Sequence, residues 1–103
     1  MRRKKSVPYE DGLMKRLKDP EYAAGYLESC MNDKEGNTEE LFLTALRDVA
    51  KAFGFTQIAQ KSHLGRESLY KALSKKGDPR LSTLTSVLDV IGLKLSIQLK
   101  KAS

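Results

Sequence analysis

Apolar residues recur at helical spacing through most of the chain and alternate strictly with polar residues near its end. The clearest helical stretch begins after Asn37, which together with Glu40 resembles a capping box, and it ends at Gly54. Its apolar stripe consists of Leu41, Phe42, Ala45, Leu46, Val49, Ala50 and Phe53. This pattern predicts a helix over about residues 38–53.

Signals for further helices lie on both sides of this stretch. Asp19 as N-cap and Pro20 at the first helical position predict a helix that ends near Asn32. Ser82 is a candidate cap for a later helix, which ends at Gly92 and buries Leu84, Val87, Leu88 and Ile91.

The first residues of the chain lack such a signal. Residues 1–18 show no sustained period and mix charged side chains with Pro8 and Gly12. We expect an irregular basic N-terminal arm over residues 1–18 and a single domain over residues 19–103.

Two short helices are predicted at about residues 56–62 and 66–74, separated only by His63, Leu64 and Gly65. This spacing is typical of a helix-turn-helix, and the small residue Ala59 stands where the two helices would cross. The turn commonly contains a left-handed glycine. Here His63 occupies that position, and histidine is among the residues enriched in the left-handed region.

The alternating segment over about residues 93–99 predicts a short β-strand. No second convincing strand exists in the chain to pair with it, so we expect antiparallel pairing with the same segment of a second protomer. The dimer interface would then consist of Leu93, Leu95, Ile97 and Leu99. Alternatively, the segment folds back on its own helices or pairs with residues near Val7.

Charge is distributed unevenly along the chain. The net charge is +6 overall, but residues 1–18 carry +5, residues 19–54 carry −5 and residues 55–103 carry +6. A basic half that contains the predicted helix-turn-helix favours binding to an acidic polymer such as DNA, and the acidic middle favours a basic protein. Charged helices that are simply solvated remain the alternative.

Several classes of function are disfavoured by what the sequence lacks. No apolar run approaches the roughly 18 residues of a membrane span, and we expect a cytoplasmic protein. Cys30 and His63 are the lone cysteine and histidine, so we expect no internal disulfide, no zinc site and no cofactor. His63 and Ser68 have no orienting third group in evident order, and we expect no enzymatic activity.

The predicted second helix of the pair leaves a polar set on its outer faces that can donate to phosphates and to base edges. The candidate DNA-binding residues are Gln57, Arg66, Glu67, Ser68, Tyr70 and Lys71. Two of them have alternatives: Tyr70 could pack across the helix pair, and Glu67 could pair with Lys71 four residues on.

Three segments of the chain resemble one family. They are Phe55-Thr56-Gln57-Ile58-Ala59, Gly65 through Ser74, and Gly77-Asp78-Pro79-Arg80 with the stretch from Leu84 to Leu93. They look like the addiction-module antidote proteins, the HigA-like members of the lambda-repressor-like helix-turn-helix group. The implied fold is an all-α, lambda-repressor-like bundle with an added N-terminal helix and a short C-terminal strand.

The resemblance implies an antitoxin that dimerises on operator DNA, represses its own operon and neutralises a RelE/ParE-like ribonuclease toxin. Such toxins tend to be basic, so Glu39 and Glu40 in the acidic middle are candidate toxin-binding residues. The alternatives are a stand-alone prophage-type repressor without a toxin and a protein-interaction module whose basic face is incidental.

Overall fold

The computed structural model of the chain describes residues 6–31, 38–74 and 77–96, and within these ranges it is an all-α structure. The helices are α1 (Ser6–Leu17), α2 (Pro20–Met31), α3 (Thr38–Phe53), α4 (Phe55–Ser62), α5 (Arg66–Ala72) and α6 (Leu81–Ile91). The helices predicted from the sequence are therefore confirmed, with bounds that differ by one or two residues.

The longest helix, α3, lies at the centre and packs against α1, α2, α4 and α6, while α4 also packs against α5 and α6. One apolar core joins all of these helices. Its largest fully buried side chains are Leu17, Leu46, Val49, Ile58, Leu69, Leu73 and Val87. Because α5 packs mainly on α4, its outer faces stay accessible.

The start of α2 follows the sequence signals closely. The backbone N–H of Glu21 donates to the carboxylate of Asp19 at 3.2 Å, so Asp19 caps the helix as predicted. The predicted cap at Ser82 is wrong. Arg80 holds the extended N-cap position of α6, which begins at Leu81, and no side chain caps it.

The irregular arm expected over residues 1–18 is wrong for residues 6–17, which form α1. Leu13 and Leu17 lie one helical turn apart and are both buried, and α1 packs against α2 and α3. Burial against these two helices stabilises α1, although two apolar positions are too few to predict a helix from the sequence. Pro8 is tolerated because it lies in the first turn, where its missing N–H has no helical partner. Residues 1–5 of the expected arm lie outside the described residues.

The C-terminal strand is also wrong where the structure describes it, because residues 93–96 form no strand. Gly92 adopts the left-handed conformation at φ 103°, and the N–H groups of Gly92 and Leu93 both donate to the carbonyl of Leu88, at 3.0 and 2.8 Å. The backbone at the start of the segment therefore closes the end of α6 instead of joining a ladder. Ile97 and Leu99 lie outside the described residues.

Candidate nucleic-acid interface

Helices α4 and α5 are joined by the predicted three-residue turn. His63 adopts the left-handed conformation (φ 62°, ψ 25°), as its position in the sequence predicted. The N–H of Leu64 donates to the carbonyl of Ala59 at 3.0 Å, which closes the end of α4 in the same way as Leu93 closes α6. The turn thus keeps its left-handed geometry without a glycine.

The inner face of this helix pair is apolar. Ile58, Leu69 and Leu73 are fully buried, and Ala59 is buried as well. Leu64 and Ala72 are partly buried. Packing of these residues holds α5 on α4 and turns the remaining faces of α5 outward.

The outer faces carry most of the predicted DNA-binding residues. Five of the six are exposed, namely Gln57, Arg66, Glu67, Ser68 and Lys71. No ion pair joins the described side chains of Glu67 and Lys71, so both are available to a ligand. Lys61 in the last turn of α4 adds a further exposed cation to the same helix pair. The two helices therefore expose cations and hydrogen-bonding groups to solvent.

Tyr70 has a different environment from the other five residues. It is partly buried, and its ring stacks on that of Phe55 with centroids 4.1 Å apart and an angle of 16° between the planes. It therefore packs across the helix pair, as the alternative interpretation of the sequence held. One ring face is covered by Phe55, which leaves the other face, the ring edge and the hydroxyl group for any further contact.

Two guanidinium groups also approach the Tyr70 ring. The Cζ atoms of Arg66 and Arg47 each lie 5.7 Å from the ring centroid, within the range of cation–π interactions. Sequence reasoning missed Arg47, which lies on α3 outside the helix pair and 23 positions before Tyr70. No local pattern signals a contact between residues so far apart.

Exposed acidic side chains lie on other helices. Residues 20–31 and 38–46 carry the acidic side chains of Glu21, Glu28, Glu39 and Glu40 and no basic side chain, and all four acidic residues are exposed. Glu39 and Glu40 stand in the first turn of α3. The segregation of charge seen along the sequence is therefore present on the helices of the folded protein.

An apolar groove of about 190 Å³ lies between α2, α3 and the segment that follows α6. Of the predicted dimer residues, Leu93 is partly buried and Leu95 is 42% exposed, and both line the groove. The other lining residues are Ala24, Leu27, Glu28, Met31, Phe42, Leu88, Lys94 and Ser96. The remaining predicted dimer residues, Ile97 and Leu99, are not among the described residues.

Within residues 6–31, 38–74 and 77–96, none of the helices is both long and apolar enough to cross a bilayer. Nor do the residues of these ranges bring together three or more histidine, cysteine, aspartate or glutamate side chains that could hold a metal ion.

A match over most of the chain shows its family. Residues 10–99 match the family described as "Probable addiction module antidote protein". The chain belongs to this family. The family is named for the antidote of an addiction module, that is, of a toxin–antitoxin system.

A relative in Haemophilus influenzae is 42% identical to this chain over 59 residues and is described as an uncharacterized protein. The match covers 57% of this chain and 61% of the relative, so it spans about three fifths of the relative's length. No solved structure matches this chain significantly.

Proposed function

We propose that this protein is an antitoxin that binds operator DNA as a dimer through a lambda-repressor-like helix-turn-helix formed by α4 and α5. Bound to the operator, it represses its own operon, and it neutralises a RelE/ParE-like ribonuclease toxin by direct contact. The observation that carries the DNA-binding part is the exposed polar face of α5, which is held outward by the buried Leu69 and Leu73.

In this proposal α5 enters the major groove as the recognition helix. Arg66 stands at its first position and can pair with guanine through two parallel hydrogen bonds, while Glu67 and Ser68 face neighbouring base edges. Lys71, one turn further on, contacts phosphate, and Gln57 in the first turn of α4 helps to position the DNA backbone. The hydroxyl of Tyr70 is free of the Phe55 stack and can reach the same surface.

Dimerisation places two such helices on the half-sites of a palindromic operator, about 34 Å apart or a multiple of that distance. The apolar groove lined by Leu93 and Leu95 is the surface that supports a second copy. Leu95 exposes 42% of its side chain there, and Met31 on the opposite side exposes 53%. In a dimer with a two-fold axis, Leu95 and Met31 of each protomer become buried at the interface. The dimer is stabilised because this apolar surface is removed from water.

Toxin binding is assigned to the acidic surface of α2 and α3, with Glu39 and Glu40 as the exposed centre. A basic partner is steered toward such a surface because opposite charges raise the rate of association. The residues assigned to the toxin, Glu39 and Glu40 in the first turn of α3, are then distinct from those assigned to DNA, so one molecule can hold both ligands.

Duplex binding tests the DNA-binding part of the proposal. A duplex from the region upstream of the protein's own gene is compared with a shuffled duplex of the same composition, over a range of salt concentrations. We expect tighter binding to the upstream duplex and a steep loss of affinity with salt. Arg66→Ala should reduce the preference for the upstream duplex by about 1–3 kcal/mol, whereas Lys71→Ala should weaken both duplexes alike. Absence of salt-dependent duplex binding by the unmodified protein contradicts the proposal.

A further inference from the structure

We propose that Arg47 on α3 is a phosphate ligand, which together with Arg66 grips a phosphodiester of the DNA backbone beside the ring of Tyr70. This inference rests on the proposed function, since it extends the DNA-binding surface from α4 and α5 onto a third helix. Neither the family description nor the pattern of the sequence assigns a role to Arg47.

The first support is the convergence of the two arginines on one ring. Each guanidinium Cζ lies 5.7 Å from the centroid of Tyr70, although Arg47 and Arg66 come from different helices. Phe55 stacks against one face of that ring at 4.1 Å and 16°. The cluster therefore brings two guanidinium groups from different helices to the same ring.

The second support is the absence of a compensating carboxylate within the described residues. No ion pair is formed there by Arg47 or Arg66. Asp48, the acidic neighbour of Arg47 in the chain, instead accepts a hydrogen bond from the hydroxyl of Tyr26 at 3.0 Å. Two like charges near one ring repel each other, and an anion between them relieves the repulsion and gains charge-assisted hydrogen bonds.

The third support comes from the burial of Arg47 itself. Its Nε atom is buried and has no hydrogen-bond partner in the part of the chain that the structure describes. The terminal nitrogens of the guanidinium are then the donors left for a ligand, and arginine presents them in a fork that matches the oxygens of a phosphate. Since the Arg47 side chain is partly buried and belongs to α3, it is suited to a fixed contact with the DNA backbone.

A phosphate contact and a base contact have different signatures. A phosphate contact carries no sequence information, so its loss weakens all duplexes equally and lowers the salt dependence of binding. A base contact changes the preference between duplexes. These signatures separate the role of Arg47 from that proposed for Arg66.

The test compares Arg47→Gln with Arg47→Lys and with Lys15→Gln as the matched control. The control removes the same charge from an exposed position on α1. Affinity for the upstream duplex and for the shuffled duplex is measured over a range of salt concentrations. For Arg47→Gln we expect the affinity for both duplexes to fall by the same factor. The slope of the logarithm of the binding constant against the logarithm of the salt concentration should become shallower by about one unit. Arg47→Lys should keep the slope, and Lys15→Gln should keep both slope and affinity.

An unchanged salt slope for a folded Arg47→Gln variant overturns the inference, and so does a loss confined to the upstream duplex. If the unmodified protein binds no duplex, the proposed function itself fails, and the two failures are thus distinguishable. Should Arg47→Gln not fold, phenylglyoxal modification of the unmodified protein decides the matter. The duplex should then protect Arg47 from the reagent, while Arg16 on α1 should react equally with and without DNA. Equal modification of Arg47 in both states overturns the inference.

Discussion

The ring of Tyr70 lies nearly parallel to that of Phe55, with centroids 4.1 Å apart and planes inclined by 16°. Phe55 is the first residue of α4 and is buried, whereas Tyr70 belongs to α5. The stack therefore joins the start of one helix to the middle of the next. Together with the buried Leu69, it fixes how α5 lies on α4 and where the exposed face of α5 points.

This stack predicts a stability effect at Tyr70 that depends on the aromatic ring. Tyr70→Leu should lower the free energy of unfolding by about 1 kcal/mol or somewhat more, since an aromatic pair contributes roughly 0.5–1.5 kcal/mol beyond the area it buries. Tyr70→Phe retains both rings and should stay within about 0.5 kcal/mol of the unmodified protein. Urea denaturation measures both changes. If the urea concentration at the midpoint of unfolding is the same for Tyr70→Leu and the unmodified protein, the stack contributes nothing to stability.

Two glycine-to-alanine substitutions, one after α5 and one within α2, should change the stability of the protein in opposite directions. A Cβ at Gly77 would overlap the backbone carbonyl of Ala72, so Gly77→Ala must displace the end of α5 and should cost about 1–3 kcal/mol. Gly25 lies within α2, and a Cβ there meets no atom within 4 Å. Gly25→Ala should therefore stabilise the protein by up to about 1 kcal/mol through helix propensity. Thermal unfolding of the two variants compares them directly, and shifts of the same sign contradict this account.

Short-range sequence signals were sufficient for the parts of the fold that depend on a few neighbouring residues. Asp19 and Pro20 predicted the start of α2, and Gly92 predicted the end of α6. His63 was expected in the left-handed region, which it adopts. In each case the physical cause lies within about five residues of the signal, as a cap or as a backbone conformation.

Long-range packing explains what the sequence could not predict. Helix α1 depends on burial of Leu13 and Leu17 against α2 and α3. The sequence has no periodic pattern of apolar residues there from which a helix could be predicted. The contact of Arg47 with Tyr70 joins residues from α3 and α5. At residues 93–96 the alternating pattern suggested a strand, but local hydrogen bonds from Leu93 close α6 instead.

The groove beside Leu95 predicts a change in oligomeric state. Leu95→Glu places a charge in the proposed dimer surface and should shift the protein toward monomer, because burial of an unpaired carboxylate is costly. Leu81→Glu is the matched control, since Leu81 is 66% exposed at the start of α6 and does not line the groove. Sedimentation velocity at micromolar concentration distinguishes the species. A dimer that survives Leu95→Glu, or an unmodified protein that is monomeric, excludes this interface.

The acidic surface predicts slower association with a basic toxin after charge reversal. Replacing Glu39 and Glu40 by lysine should reduce the association rate, with the largest effect at low salt, because electrostatic steering is screened by ions. The same change of charge at Asp78 and Asp89, both exposed and outside α2 and α3, should have a smaller effect. Association is followed by surface plasmon resonance with the toxin immobilised. Equal rates for both double variants would remove Glu39 and Glu40 from the binding surface.

Co-expression with the product of the adjoining gene tests the central claim, direct neutralisation of a toxin, most directly. The neighbouring product is expressed alone and together with this protein carrying an affinity tag, and growth and copurification are recorded in the same cells. We predict that the product arrests growth when alone, and that co-expression restores growth and yields both chains in one purified complex. Growth arrest that persists on co-expression, with no copurified partner, would contradict the account.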